Sequence, residues 1–151
     1  MANLKTRPAV ILLAEDDPHD RRLTERALTG SKVRNKLAMV KDGEEALDYL
    51  YNRGAYADAL AYPKPDLILL DLNMPKVDGR EVLKIIKNDD LLKLIPVVVL
   101  TTSAQEEDVL RSYHLGVNSY ITKPVDLDQF VQAIRDLEHY WLELVVFPPV
   151  T

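Results

Sequence analysis

The chain has 151 residues and a formal net charge of −5, with 47% hydrophobic and 28% charged residues and no cysteine. That length holds one globular domain with an ordinary core, and the missing cysteines exclude disulfides, thiolate metal sites and thiol nucleophiles. The negative charge argues against non-specific nucleic-acid binding, which relies on basic patches that neutralise phosphates.

No apolar stretch approaches ~18 residues, and no signal-peptide pattern opens the chain. There is also no room for a separate DNA-binding module after the last predicted helix. The expectation is a cytoplasmic protein with no membrane and no direct DNA contact.

Residues 1–8 read as a short lead-in. The run Val10-Ile11-Leu12-Leu13-Ala14 predicts a strand over 9–14 that runs into Glu15-Asp16-Asp17. Pro18 suits the first turn of a helix capped by Asp17, running to about Thr29 and stopped by Gly30, with Leu23, Ala27 and Leu28 as its core face. A short strand follows near Leu37–Val40. Lys41-Asp42-Gly43 then turns into a helix from Glu44 to about Tyr51, carrying Ala46, Leu47 and Leu50 inward. Asn52–Pro65 interleaves Gly54, Pro63 and Pro65 with Tyr56, Ala59, Leu60 and Tyr62. It reads as a longer loop, or as a helical extension followed by a loop.

Leu67-Ile68-Leu69-Leu70 is a continuous apolar run that stops at Asp71, the pattern of a strand buried on both faces. Asn73-Met74-Pro75 leads to Asp78-Gly79, which opens a helix to about Asn88 with Val82, Leu83 and Ile86 buried. The polar Asn88-Asp89-Asp90 precedes a strand from near Pro96 to Leu100, which passes into Thr101-Thr102-Ser103. Gln105 to His114 is a predicted helix with Gly116 as its stop. Ser119–Thr122 is a short strand ending at Lys123-Pro124. From Asp126, the positions Leu127, Phe130, Val131, Ile134, Leu137 and Trp141 repeat at helical spacing and predict a last helix to about Tyr140. Strand and helix alternate over 9–140, the signature of a doubly wound five-stranded parallel sheet. The tail 141–151 is apolar and follows a completed fold. Either it folds back on its own domain or it packs on a second subunit.

In such a sheet ligands sit at the carboxyl ends of the strands. Glu15, Asp16, Asp71 and Thr101 all stand at such ends. Three ionised carboxylates in one pocket repel one another, and a hard divalent cation such as Mg²⁺ removes that cost. Glu15, Asp16 and Asp71, with the main-chain carbonyl of Asn73, would supply oxygen ligands. His19, His114 and His139 have no metal-ligand spacing, and Asp17 reads as a helix cap rather than a ligand. Lys123 suits pairing with Asp71 or with a phosphoryl oxygen, and Thr101 offers a hydroxyl donor. Together these groups would orient a phosphoryl group while the Asp71 carboxylate attacks phosphorus in line, leaving an acyl phosphate.

Taken in this order and spacing, these residues resemble the receiver domains of two-component response regulators in their single-domain, CheY-like form. The resemblance covers about residues 9 to 140. It rests on Glu15-Asp16, Asp71 with Asn73-Met74-Pro75 and Asp78-Gly79, Thr101 after Pro96-Val97-Val98-Val99-Leu100, and Lys123-Pro124. It implies the flavodoxin-like strand order 2-1-3-4-5 and a cis Lys123-Pro124 bond. It also implies Asp71 as phosphoacceptor, Asp16 and Asp71 as direct Mg²⁺ ligands, Glu15 acting mainly through water, and Asn73 giving its carbonyl. Thr101 and Lys123 would bind the phosphoryl group. Thr101 and Tyr120 would form the switch, changing the face made by the last two helices and the strand between them. The implied role is a phosphorelay acceptor for a sensor histidine kinase, with Mg²⁺-dependent self-phosphorylation and self-dephosphorylation but no conventional enzyme activity. The long loop before the central strand, Leu69-Leu70-Asp71-Leu72-Asn73-Met74-Pro75 and the tail with Trp141-Leu142-Glu143 are similar to regulators paired with cyanobacterial phytochromes. That narrower likeness implies a light-sensing kinase and a homodimer through the last helices and the tail.

Two other functions compete. An Mg²⁺-dependent aspartyl-phosphate phosphatase shares the Asp, Thr, Lys and metal set, but usually carries a second Asp two residues after its nucleophile, where this chain has Asn73. A non-phosphorylated receiver-like adaptor would have no need of the complete acceptor set.

Overall fold

The computed structural model describes residues 8–30, 35–102 and 116–135. The helix expected over Gln105–His114, the end of the last helix and the tail 141–151 lie outside the described residues, as do residues 1–7 of the lead-in.

Five strands form one parallel sheet: β1 (Ala9–Ala14), β2 (Asn35–Val40), β3 (Leu67–Asp71), β4 (Val97–Thr101) and β5 (Ser119–Thr122), in the order β2-β1-β3-β4-β5. This is the expected 2-1-3-4-5 arrangement. The register sets Ile11 against Leu67, Asp71 against Leu100 and Thr101 against Thr122, so the strand ends carrying polar groups share one edge.

The described helices are α1 (Pro18–Gly30), α2 (Gly43–Leu50), α3 (Gly79–Lys87) and α4 (Leu127–Arg135). Each opens on an aspartate whose side chain accepts otherwise unpaired N–H groups of the first turn. Asp17 Oδ1 accepts from His19 and Asp20 at 2.8 and 3.0 Å, and Asp42 Oδ1 accepts from Glu45 at 2.7 Å. Asp78 Oδ1 takes the Arg80 N–H at 2.8 Å. Asp126 and Gln129 exchange bonds of 2.8 and 3.2 Å, a reciprocal capping box. None of the described helices is long and apolar enough to cross a membrane.

Because alternate strand residues point to opposite faces, the core has two halves. Ile11, Leu13, Leu69 and Leu100 meet Ala27 and Leu28 of α1 and Phe130 and Ala133 of α4. On the other face Leu12, Leu70 and Val99 meet Ala46, Leu47 and Leu50 of α2 and Val82, Leu83 and Ile86 of α3. Every residue of β3 is buried, as its unbroken apolar run requires.

Two local expectations shift. β2 begins at Asn35, because parallel pairing with β1 runs from Ala9 against Asn35 and an edge strand tolerates polar residues. In α1 the inward face is Thr24, Ala27 and Leu28, and Leu23 is only half-buried.

Between α2 and β3 the chain makes a loop with a single 3-10 turn at Gly54–Tyr56. Tyr49, Tyr56 and Tyr62 pack ring against ring, with centroids 4.9 to 5.9 Å apart. Asn52, at φ +52°, donates its amide to the carbonyls of Tyr56 and Tyr62 at 3.1 and 3.0 Å. The loop therefore carries its own small core and its own backbone partners.

Candidate functional site

The pocket lies at the carboxyl edge of β1, β3, β4 and β5. Glu15 follows β1, donates its N–H to the Val40 carbonyl at 3.0 Å, and is completely buried. Asp71 ends β3 and is 2% exposed. Lys123 follows β5 and donates its N–H to the Thr101 carbonyl at 2.7 Å, which extends the β4–β5 ladder by one step. That backbone bond aims the lysine along the edge. Its Nζ lies 2.7 Å from Glu15 Oε1, 3.2 Å from Asp71 Oδ2 and 3.3 Å from Asp20 Oδ2.

The loop between β3 and α3 is pinned at both ends. Asn73 donates its N–H to Asp71 Oδ1 at 3.3 Å, and Gly79 donates to the Leu72 carbonyl at 2.9 Å. A Cβ on Gly79 would overlap the Asp71 carbonyl and the Leu72 backbone, and one on Gly43 would overlap the Val77 carbonyl. These two glycines let the ends of α3 and α2 close on the loop. Lys76 sits at φ +67°, a region costing a non-glycine residue about 1–2 kcal/mol, with its ammonium 3.7 Å from buried Asp42. The Lys123-Pro124 bond is cis, as expected.

Acid outweighs base in this pocket. Burial, reinforced by Asp71, pushes the Glu15 carboxyl up to about 8 against the opposing pull of Lys123. Burial alone would lower the Lys123 ammonium, but Glu15 and Asp71 override it and hold the lysine above its ordinary value. Asp17, capping α1 nearby, is lowered by the backbone bonds from Asp20 and His19. One oxygen each from Glu15, Asp16 and Asp71 lies within 4.8 Å of the others. Three converging carboxylate oxygens with one lysine to offset them fit a hard divalent cation.

Of the residues singled out in the sequence, Glu15, Asp71 and Lys123 are in direct contact and Asp16 shares their cluster. Asn73 reaches Asp71 through its N–H. Thr101 is 1% exposed, and its hydroxyl has no hydrogen-bond partner among the described residues. Tyr120 lies opposite Val99 on β5 and is half-buried against the core on the α2 and α3 face. Asp17 caps α1, and His19 is exposed; His114 and His139 lie outside the described residues. Two contributions were missed, the Asp20 contact to Lys123 and the Asp42–Lys76 pair. Neither left a signal in the sequence: Asp20 stands in the first turn of α1, and its partner Lys123 is 103 residues further on.

A 2-1-3-4-5 α/β sheet whose carboxyl edge gathers two buried acids, a lysine and a buried threonine defines a domain of the CheY-like class. The chain belongs to the response regulator receiver domain family, whose sequence model matches residues 11–135. It is 46% identical over 148 residues to the response regulator Rcp1 of Synechocystis sp., covering 98% of this chain and 99% of that protein. A crystal structure of the Mn²⁺-bound form of Rcp1 is 47% identical and superposes with a TM-score of 0.72, over 94% of this chain and all of the other. The phosphorylated cyanobacterial phytochrome response regulator RcpA is 49% identical, with a TM-score of 0.73 over 95% of this chain and 100% of that one. The bacteriophytochrome response regulator RtBRR is 46% identical, with a TM-score of 0.83 over 96% of this chain and 82% of that one. The chain is thus a receiver-domain response regulator related to those of phytochromes.

Proposed function

We propose that Asp71 is the phosphoacceptor of a two-component phosphorelay, and that the receiver unit spans residues 9–140. The observation that carries this reading is Lys123 Nζ, held 2.7 Å from Glu15 and 3.2 Å from Asp71 at the carboxyl edge of the sheet. A carboxylate oxygen of Asp71 attacks phosphorus, the new O–P bond forms, and the bond to the donor breaks with its electron pair leaving on the donor. Lys123 pairs with one phosphoryl oxygen and the Thr101 hydroxyl, which has no partner among the described residues, donates to another. The N–H of Asn73, already bonded to Asp71 Oδ1, helps keep the nucleophile oriented.

Glu15, Asp16, Asp71 and the Asn73 carbonyl would hold Mg²⁺. The bound ion supplies charge neutralisation for the carboxylates and the incoming phosphoryl oxygens. Support for a divalent ion comes from the three converging oxygens and from the Mn²⁺-bound form of the relative Rcp1. Phosphorylated RcpA supports acceptor chemistry.

Thr101 and Tyr120 form the switch that passes the phosphorylation state to the face around β5 and the last two helices. The donor is a sensor histidine kinase of the phytochrome type, by likeness to RcpA and RtBRR. The protein works in the cytoplasm as a homodimer built through its last helices and tail, without DNA contact and without conventional enzyme activity.

Intact mass after incubation with acetyl phosphate tests this reading. One phosphoryl adduct that requires both Mg²⁺ and Asp71 is expected, and it is absent from Asp71→Asn. An adduct that survives Asp71→Asn would overturn the assignment.

A further inference from the structure

We propose that Asp20 is the positioning residue of Lys123, the carboxylate that keeps the ammonium at the pocket rim once the inner acids are engaged. This inference rests on the reading of Asp71 as phosphoacceptor. An ammonium has three N–H donors, and three carboxylates surround this one: Glu15 at 2.7 Å, Asp71 at 3.2 Å and Asp20 at 3.3 Å. The three are not equivalent. Glu15 and Asp71 belong to the acid cluster suited to a divalent cation, and Asp20 does not. Once two positive charges sit among the cluster oxygens, the net pull of Glu15 and Asp71 on Lys123 falls. Asp71 must also turn an oxygen toward phosphorus. Asp20 is then the remaining anion holding the lysine.

Asp20 is placed for this role by its own backbone. It lies in the first turn of α1, its N–H is held by Asp17 Oδ1 at 3.0 Å, and its side chain is 27% exposed, between the buried acids and water. A lysine has a long flexible stem, so an outer carboxylate fixed on a helix removes freedom that the ammonium would otherwise regain. The phosphoryl oxygen then meets a donor already in place. Asp20 touches no reacting atom and acts only through Lys123.

The test uses the full-length chain labelled with ¹⁵N-lysine, as wild type, Asp20→Asn, Asp20→Ala and Asp20→Glu. Two quantities are read with saturating Mg²⁺: the solvent-protected Lys123 Nζ signal, and the rate of Asp71 phosphorylation by acetyl phosphate. The signal persists in wild type and is lost by exchange in Asp20→Asn and Asp20→Ala, while their rates fall roughly five- to tenfold through misplacement of the ammonium. Asp20→Glu, which keeps the charge, restores much of both. A helix-start charge with no role at Lys123 would change thermal stability and leave the signal in place. An unchanged signal overturns the proposal whatever the rate does, and so does a lost signal with an unchanged rate. Should wild type accept no phosphoryl group, the acceptor reading fails on its own, and the Lys123 signal still decides the placement of Asp20.

Discussion

Lys123 and Asp71 meet at 3.2 Å although their strands are not neighbours, since β4 lies between β3 and β5. The lysine side chain crosses the end of β4, where Thr101 stands. One cation therefore ties the ends of β5, β3 and, through Glu15, β1.

Removing that cation leaves two buried acids facing each other. Lys123→Ala is expected to lose about 3 kcal/mol of stability at neutral pH in metal-free buffer, the usual penalty for breaking a buried ion pair. Urea unfolding with and without Mg²⁺ reads this. The loss shrinks in Mg²⁺, because the ion offsets the same charges. An equal loss in both buffers would mean that the metal and the lysine do not share the pocket.

Thr101 gives the opposite sign. Its buried hydroxyl has no partner among the described residues, so Thr101→Val removes an unsatisfied polar group at little cost in shape. Thermal unfolding of the unphosphorylated protein is expected to be unchanged or raised, by up to ~1 kcal/mol. Phosphoryl retention on Asp71, followed by intact mass, falls. A drop of several degrees in Tm would show that the hydroxyl already has a strong partner.

The two tight glycines predict a steric outcome. Gly79→Ala and Gly43→Ala place a Cβ against backbone atoms at the end of β3 and in the β3–α3 loop, which must shift to admit it. Each is expected to cost about 3 kcal/mol, at the upper end for overpacking, seen as a lower urea midpoint. Gly54→Ala meets no such backbone, although its φ of +56° carries its own strain, and serves for comparison.

Tyr56 predicts alkaline behaviour. Its hydroxyl donates to Glu45 Oε1 at 3.0 Å, and burial together with that carboxylate raises the phenol to about 12. The unfolded chain titrates near ~10. A raised folded value means that the folded state holds its proton more tightly. This contribution is complete below pH ~10 and is lost as pH climbs toward 12. Absorbance at 295 nm and urea midpoints between these limits follow it. Tyr56→Phe flattens this part of the stability profile, and an unchanged slope would argue against Tyr56 as its source.

The candidate site was legible because Glu15, Asp71, Thr101 and Lys123 each end a run that announces itself. Glu15, Asp71 and Thr101 stop apolar strands, and Lys123 stops a short one before a proline. Parallel strands share a direction, so their ends share an edge. The helices were legible for a related reason: Asp17, Asp42, Asp78 and Asp126 cap the helices that follow them, a bond made within three residues. The loop over Asn52–Pro65 was not, because its order comes from side chains meeting across distances that periodicity does not report. Tyr49 donates its hydroxyl to the Pro63 carbonyl, fourteen residues on, at 2.9 Å.

The amino-acid pattern by itself determined the alternation of the described strands and helices, their apolar faces and the identity of the acids, threonine and lysine at the pocket edge, since all of these are local. Only the tertiary structure decided that Asp20 reaches Lys123, 103 residues away, and that Asp42 holds Lys76 of the β3–α3 loop. Such partners are chosen by where folded elements bring charges within a few ångströms, and separation along the chain carries no record of that distance.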